Sequence, residues 1–344
     1  MLPLRLFTVF HWFYRSHIRQ VQAAYISFLL VLTSLMLPGS KFMLSGDVDG
    51  MRSNVKQVVI ANHQIYPDWF YLFIFARFKK CHADVKVILI QILSRLPIFG
   101  QGMWFFEFIF MAQRFEKDKG NMAHYLTVAK RDTLNPLWLL LFPEGTLNTP
   151  GNIEKSKAFA KKMNINSHPN HCILPKSTGL FFSLNTLAPE VTDLFDLTVG
   201  YSGLDGTQIP YDAYLIDKVF FAKEYPREIH IHIEKYNAKR IPGVEVVDGG
   251  DVNTEKEEVK KAKFEEWLRG VWAEKDERLA KFYQKGLMSG RGGDDVKRIE
   301  IPLVPSAQDW ITVSLFFGLG YLLTRVYISG IYVAISALSA LIWG

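Results

Sequence analysis

Six consecutive apolar residues, Leu137-Trp138-Leu139-Leu140-Leu141-Phe142, constrain the fold of this chain more than any other feature. A strand with one face in water alternates apolar and polar side chains. A strand without alternation is covered on both faces, as in a parallel sheet flanked by helices. The run ends in Pro143-Glu144-Gly145-Thr146. Ligands of open α/β sheets collect beyond the carboxyl ends of the strands, so these residues are candidates for a binding loop. Gly145 lets backbone N–H groups come close to a phosphate, and Thr146 adds a hydroxyl. Glu144 can accept from a substrate hydroxyl. Lys155, Lys157, Lys161 and Lys162 follow on a helix-like stretch, and a solvated helix face is the plainer explanation of such a run.

A second unit of the same kind lies upstream. Val58-Val59-Ile60-Ala61 reads as a buried strand, and a helix-like apolar stretch begins at Trp69, with Asn62-His63 and Pro67-Asp68 between them. His63 and Asp68 cannot share one helix face, because five steps of about 100° set them roughly 140° apart. Pro67 resolves this. It pushes Tyr66 out of the helical region and suits a first helical turn. His63 is therefore expected in the turn at the strand end. Asp68 is expected at the helix N-terminus, where the dipole favours a carboxylate. That places a histidine base beside an aspartate that can orient it.

Strands and helices alternate from Lys41 to about Ala307, the pattern of an α/β fold. Strands are expected over 55–61, 85–89, 108–112, 137–142, 172–174, 197–201 and 228–234, and helices over 68–79, 121–134, 153–163 and 255–285. Phe264, Trp267, Leu268, Val271, Trp272, Leu279, Phe282 and Tyr283 recur at helical spacing and read as core packing. Residues 242–254 and 286–308, rich in Gly and Asp, read as a surface loop and a linker. His230 and His232 share one face of a strand. A solvated strand face explains them without a metal, since no third ligand is near in sequence. Cys81 and Cys172 are the only cysteines and lack metal-ligand spacing, which argues against disulfide scaffolds and structural zinc.

The ends of the chain differ from its middle. From Gln20 to Ser40 no charge occurs in 21 residues, enough to cross a bilayer core. Arg5, Arg15 and Arg19 precede it, and no small-residue cleavage site follows, so a cleaved signal peptide fits poorly. The amphipathic residues 6–14 could pair with this segment as a membrane-embedded hairpin. From Trp310 to Gly344 the only charge is Arg325. A straight helix of that length would exceed one bilayer core, so two segments near 311–324 and 326–343 are expected, with Arg325 snorkelling to an interface. The chain thus divides into membrane-associated helices over 1–40, an α/β region over 41–308 and a membrane-embedded segment over 309–344. The 26 Phe, 14 Tyr and 8 Trp fit lipid contact. A net charge of +6 suits an anionic membrane surface or phosphate-bearing substrates. No nucleic-acid-binding pattern is visible, so nucleic acid is not an expected partner.

Asn62-His63 with Asp68, followed by Phe142-Pro143-Glu144-Gly145-Thr146, resembles the glycerolipid acyltransferases that make and remodel phospholipids. Leu96-Pro97-Ile98-Phe99-Gly100 with Phe108-Ile109-Phe110 looks like the second family block, and Leu174-Pro175-Lys176-Ser177-Thr178-Gly179 like the fourth. Downstream, Trp267, Lys275-Asp276 and Phe282-Tyr283 are similar to the branch containing lysocardiolipin and lysophosphatidylinositol acyltransferases. The resemblance covers about residues 55–285, and four ordered blocks are more specific than the histidine alone. Two positions depart from the family pattern. Gln113 stands where Arg is usual, with Arg114 one position late, and Pro175-Lys176 stands where Pro-Arg is frequent.

The resemblance implies a mixed, largely parallel sheet flanked by helices, like that of the glycerol-phosphate acyltransferases, with membrane-embedded terminal helices. It implies an acyl-CoA-dependent lysophospholipid O-acyltransferase whose acceptor is lysophosphatidic acid, lysophosphatidylinositol or lysocardiolipin. His63 and Asp68 would be catalytic. Asn62, Arg114, Glu144, Gly145, Thr146 and Lys176 would bind the acceptor. Acyl-CoA enters as co-substrate, with no cofactor and no metal, and the implied place is the endoplasmic reticulum membrane with the catalytic face towards the cytosol. Two other classes stay open: a phosphoester hydrolase using the same His and Asp, and a non-catalytic lipid-binding protein. Head group, acyl chain, acylated position and oligomeric state are not fixed by the sequence.

Overall fold

The structure is a computed structural model and describes residues 11–97, 99–112, 115–244, 256–288 and 298–343. Helix α1 (His11–Met36) leads into strands β1 (Lys41–Gly46) and β2 (Lys56–Ala61), then α2 (Asp68–Phe78) and β3 (Val85–Ile90). Next come α3 (Phe99–Phe105), β4 (Ile109–Met111), α4 (Phe115–Arg131), β5 (Leu137–Leu141), α5 (Pro150–Lys162), α6 (Ser177–Leu187) and β6 (Asp193–Tyr201). The short α7 (Pro210–Ala213), β7 (Glu228–Asn237), α8 (Glu257–Lys285), β8 (Ile299–Pro302) and α9 (Ala307–Trp343) complete the order.

The strands form one sheet in the order β4-β3-β5-β2-β6-β7-β1-β8. From β4 to β6 every pairing is parallel. β7 lies antiparallel to β6, β1 parallel to β7, and β8 antiparallel to β1. The sheet is mixed and largely parallel, and the fold is α/β. The apolar run behaves as its composition requires. All five residues of β5 are buried. Trp138 and Leu140 join one core with α1 and α2, while Leu137, Leu139 and Leu141 join another with α4, α6 and α8. In β2, Val59 and Ala61 face the first core and Val58 and Ile60 the second. A polar residue at any of these positions would lie unsatisfied beneath a helix.

Several expectations change. Residues 172–174 form no strand. They lie in a connector between Pro169 and Pro175 that bends at residues 170–172, with Cys172 and Ile173 buried but no ladder beside them. The linker region contains β8, a four-residue edge strand. β1 and α6, not among the expected elements, are regular. α4 begins at Phe115 rather than near 121, because the charged run after it is a first helical turn. Its Asp118 accepts from the N–H of Ala112 at 2.7 Å. His230 and His232 do not face solvent. Both are buried, His230 against the Phe282 ring and His232 against the Ser45 hydroxyl at 2.9 Å. Burial lowers the pKa of each imidazole.

The termini also differ. α1 is one continuous helix from His11, so described residues 11–14 extend it instead of pairing with it, and residues 6–10 lie outside the described part. Arg15 pairs with Glu107 and Asp132, Arg19 with Asp84, and Gln22 donates to the carbonyl of Val85, so α1 is fastened along the sheet. α9 is a single helix of 37 residues, not two segments. Arg325 does not break it, since Arg is a good helix former and no proline intervenes. Among the described residues, two helices are long and apolar enough to cross a bilayer. Half of the window in Phe13–Met36 is buried by protein, against 6% of that in Ala307–Val333.

Candidate active site

The carboxyl ends of β2 and β5 lie side by side, and each ends in one of the two turns expected from the sequence. The first carries His63 beyond β2. α2 starts at Asp68, with Pro67 as its N-cap. His63 Nδ1 lies 2.8 Å from Asp68 Oδ2. The same oxygen accepts the backbone N–H of Gln64 at 2.6 Å and of Ile65 at 3.0 Å. Asp68 Oδ1 accepts the hydroxyl of Tyr201, the last residue of β6. Asp68 is thus buried and fully satisfied, the condition under which a buried carboxylate can be kept. The His63 ring stacks on Phe142, with centroids 4.3 Å apart and planes at 26°. Its side chain keeps 19% of its surface exposed. With Nδ1–H donated to Asp68, the neutral ring presents a bare Nε2, the form a general base requires.

The second turn holds Glu144, Gly145 and Thr146. Gly145 has φ +68°, the left-handed region, and a Cβ there would meet the Lys176 side chain at 3.2–3.3 Å. Lys176 is brought in because its N–H donates to the carbonyl of Pro143 at 2.7 Å. Its side chain is exposed over Gly145. Thr146 Oγ1 accepts from Asn152 at 2.8 Å. Phe142, on which His63 stacks, leads directly into the turn of Gly145 and Thr146 with Lys176 over it, and this group is the candidate mouth.

Two residues expected to touch substrate lie beneath it. Asn62 is fully buried, and both ends of its amide bond the backbone of Val199 at 2.8 Å, which ties the strand end of β2 to β6. Glu144 is 1% exposed. Its carboxylate accepts the backbone N–H of His63 and, at 3.2 Å, Trp272 Nε1. Desolvation raises its pKa well above the ordinary carboxylate value, against the Trp272 and His63 bonds and the charge of Lys275. Both residues support the loop that carries the histidine. Arg114 and Gln113 lie outside the described residues.

Sequence reasoning missed the supporting shell. Tyr201 ends an expected strand at the same edge as His63, and that edge position was the available signal. Trp272 and Tyr283 sit in the stripe read as packing. They do pack, and each also donates a hydrogen bond into the site. Tyr283 bonds Gln64 Oε1 at 2.9 Å, and Gln64 Nε2 donates to the carbonyl of His171 at 2.8 Å. Asp276 accepts the N–H groups of Asn170 and His171. Lys275, fully buried, meets Asp196 at 2.7 Å and the carbonyl of Leu197 at 2.7 Å. α8 thus reaches the two motif turns through Tyr283 and Trp272, and the segments beside them through Asp276 and Lys275.

A family model for Acyltransferase matches residues 47–189, the stretch that contains both turns. The chain is 30% identical to the 2-acyl-1-lysophosphatidylinositol acyltransferase of Saccharomyces cerevisiae, over 73% of this chain and 68% of that protein. It is 32% identical to a probable 1-acyl-sn-glycerol-3-phosphate acyltransferase 5 of Arabidopsis thaliana, over 74% and 60%. It is 28% identical to lysocardiolipin acyltransferase 1 of Gallus gallus, over 82% and 68%. The chain spans about 60–68% of the length of these relatives.

Proposed function

This chain belongs to the acyltransferase family of glycerolipid and lysophospholipid enzymes, and from that premise we propose that it moves an acyl group from acyl-CoA to the free hydroxyl of a lysophospholipid. The observation that carries the reading is the 2.8 Å contact between His63 Nδ1 and Asp68 Oδ2, which leaves Nε2 to take a proton. The acceptor hydroxyl gives its proton to His63 Nε2 as its oxygen attacks the thioester carbonyl. The C–S bond breaks, and the imidazolium returns the proton to the departing thiolate of CoA. Asp68 holds the ring and offsets its transient charge. The nucleophile belongs to the substrate, so Cys81 and Cys172, both buried, have no part.

The acceptor carries a phosphate, and Lys176 over Gly145 is the described cation at the mouth; Arg114 is proposed to add to it. Lysophosphatidylinositol, lysocardiolipin and lysophosphatidic acid are the acceptors to test first, because similar proteins carry those activities in their names. The proposed place is the endoplasmic reticulum membrane with the mouth towards the cytosol, where acyl-CoA is supplied. The test presents labelled acyl-CoA and a panel of these acceptors to membranes containing the protein. Labelled phospholipid with release of CoA supports the reading. Phosphate release without acyl transfer would favour a hydrolase, and silence a lipid-binding role.

A further inference from the structure

The chain leaves the site after Glu144 and returns to it at Lys176, where the two limbs are joined by the N–H of Lys176 on the carbonyl of Pro143. Between them α5 projects from the carboxyl end of the sheet, and Ala160 is its one buried residue. It is nevertheless held firmly. Thr149 accepts from the N–H of Asn152 at the N-cap, and Asn152 Nδ2 donates to Thr146 Oγ1 and the carbonyl of Leu147. Ser156 Oγ accepts the N–H of Leu174 and meets His168 Nε2 at 2.8 Å. α5 therefore moves with the loop that carries Thr146.

The flank of α5 next to the inward-bonded Asn152 and Ser156 is unusual for a solvated helix. Lys155, Phe159, Lys162 and Met163 fall at i, i+4, i+7 and i+8, one helical face. Phe159 is 52% exposed and Met163, at the C-cap, 55%. Over α5 the four lysines 155, 157, 161 and 162 against Glu154 alone give a net charge of +3. Two large apolar side chains held out beside lysines suit a boundary that is apolar below and anionic above. The lysine stems can lie along the apolar layer while their ammonium groups reach headgroup phosphates.

We propose that α5 is an interfacial docking helix. Phe159 and Met163 enter the acyl-chain boundary of an anionic bilayer, and Lys155 and Lys162 meet its headgroups. The mouth formed by His63, Gly145, Thr146 and Lys176 is thereby held to the lipid surface from which an acceptor would come. The consequence for turnover rests on the lysophospholipid reading; the docking itself does not.

The test uses the full chain reconstituted in vesicles containing anionic phospholipid with brominated acyl chains. A polarity-sensitive fluorophore is placed at Phe159→Cys, and at Lys157→Cys on the opposite face as a control; Cys81 and Cys172 are buried. Quenching is expected at position 159 and not at 157, weaker when the anionic lipid is replaced by a neutral one. In parallel, Phe159→Ser/Met163→Ser is assayed with a vesicle-borne acceptor and with a water-soluble short-chain one. Turnover should fall about tenfold on the first, the scale of losing one buried aromatic side chain, and hold on the second. An unquenched label at 159 overturns the proposal, as does equal loss on both acceptors. Shielding of 159 by a second copy, seen as protein-dependent cross-linking, assigns the face to self-association and also overturns it. A wild-type protein that acylates neither acceptor removes the enzymatic reading, and the quenching result then decides the docking alone.

Discussion

The hydroxyl of Tyr201 donates to Asp68 Oδ1, while Asp68 Oδ2 receives His63. One carboxylate thus joins the end of β6 to the histidine beyond β2. The contact fixes the carboxylate plane and with it the imidazole. Tyr201→Phe keeps the ring packing against Tyr71 and Tyr214 but removes that donor. A hydrogen bond to a charged group contributes about 1.5–3 kcal/mol. The variant should therefore lose roughly ten- to a hundredfold in kcat, with the acceptor KM little changed, in steady-state assays. A normal kcat would show that the backbone N–H groups of Gln64 and Ile65 suffice.

His63→Ala should lower kcat by about 10²–10⁴-fold, the usual contribution of a general base. Asp68→Asn should be severe as well, because an amide can donate to Nδ1 and select the wrong tautomer. Circular dichroism must show both variants folded. A folded His63→Ala enzyme with near-normal turnover would end the assignment.

Glu144 gives a prediction about pH. Burial raises its folded-state pKa above the value of an unfolded chain, near 4.5. The folded state therefore binds the extra proton, and stability is lost as pH rises from about the unfolded value through the folded one. Glu144→Gln keeps an acceptor oxygen for Trp272 Nε1 and removes the titration. The melting temperature of the variant in detergent should approach or fall below wild type at pH 4 and gain on it as the pH rises from the unfolded value through the raised folded one. Parallel curves would mean that Lys275 neutralises the carboxylate after all.

The two turns were legible because their chemistry is local. Leu137–Leu141 could only be a covered strand, and Pro67 could only separate His63 from the helix that carries Asp68. What escaped was set by distant partners. His230 and His232 look solvated in an alternating strand, and their cover comes from far along the chain, Phe282 of α8 on His230 and Ser45 of β1 on His232. Trp272 has the helical spacing of a core residue, and no local signal reveals that its Nε1–H reaches Glu144, 128 positions away. β8 is four residues long, and the alternation of Ile299-Glu300-Ile301 is too short to mark a strand within a linker. A length beyond one bilayer core suggested two segments, yet no proline or other helix breaker stands between them, and α9 runs through as one helix.

Gly145→Ala probes the second turn. The left-handed conformation at φ +68° costs a side-chain-bearing residue about 1–2 kcal/mol. The new Cβ would press on the far end of Lys176, which is flexible and can move. The backbone should hold, at a modest loss of stability, while Lys176 is displaced from its place above the turn. Lys176→Ala removes the charge outright. If that charge binds the acceptor phosphate, both variants raise the acceptor KM with little effect on the acyl-CoA KM. An equal rise in both constants would make Lys176 a residue of the donor site instead.

The root of α9 offers the last test. Asp309 Oδ1 receives Arg77 Nε at 2.9 Å and the Ser27 hydroxyl at 2.8 Å, and Oδ2 receives the N–H of Ser306 at 2.9 Å and its hydroxyl at 2.6 Å. The carboxylate therefore clamps α9 to α1 and to the C-terminal end of α2, the helix whose first residue orients His63. It is 2% exposed, so Asp309→Ala leaves the Arg77 guanidinium and three other donors facing a gap. Breaking a buried pair from one side costs about 3–5 kcal/mol, much of it from the charge left behind. Asp309→Ala should lower the melting temperature of the detergent-solubilised protein sharply, and Arg77→Met/Asp309→Leu should recover part of the loss. α9 itself, apolar along its length, should stay in the membrane fraction in both variants. If Asp309→Ala melts like wild type, the clamp is dispensable, and α9 is joined to the catalytic region by the chain and by apolar contact alone.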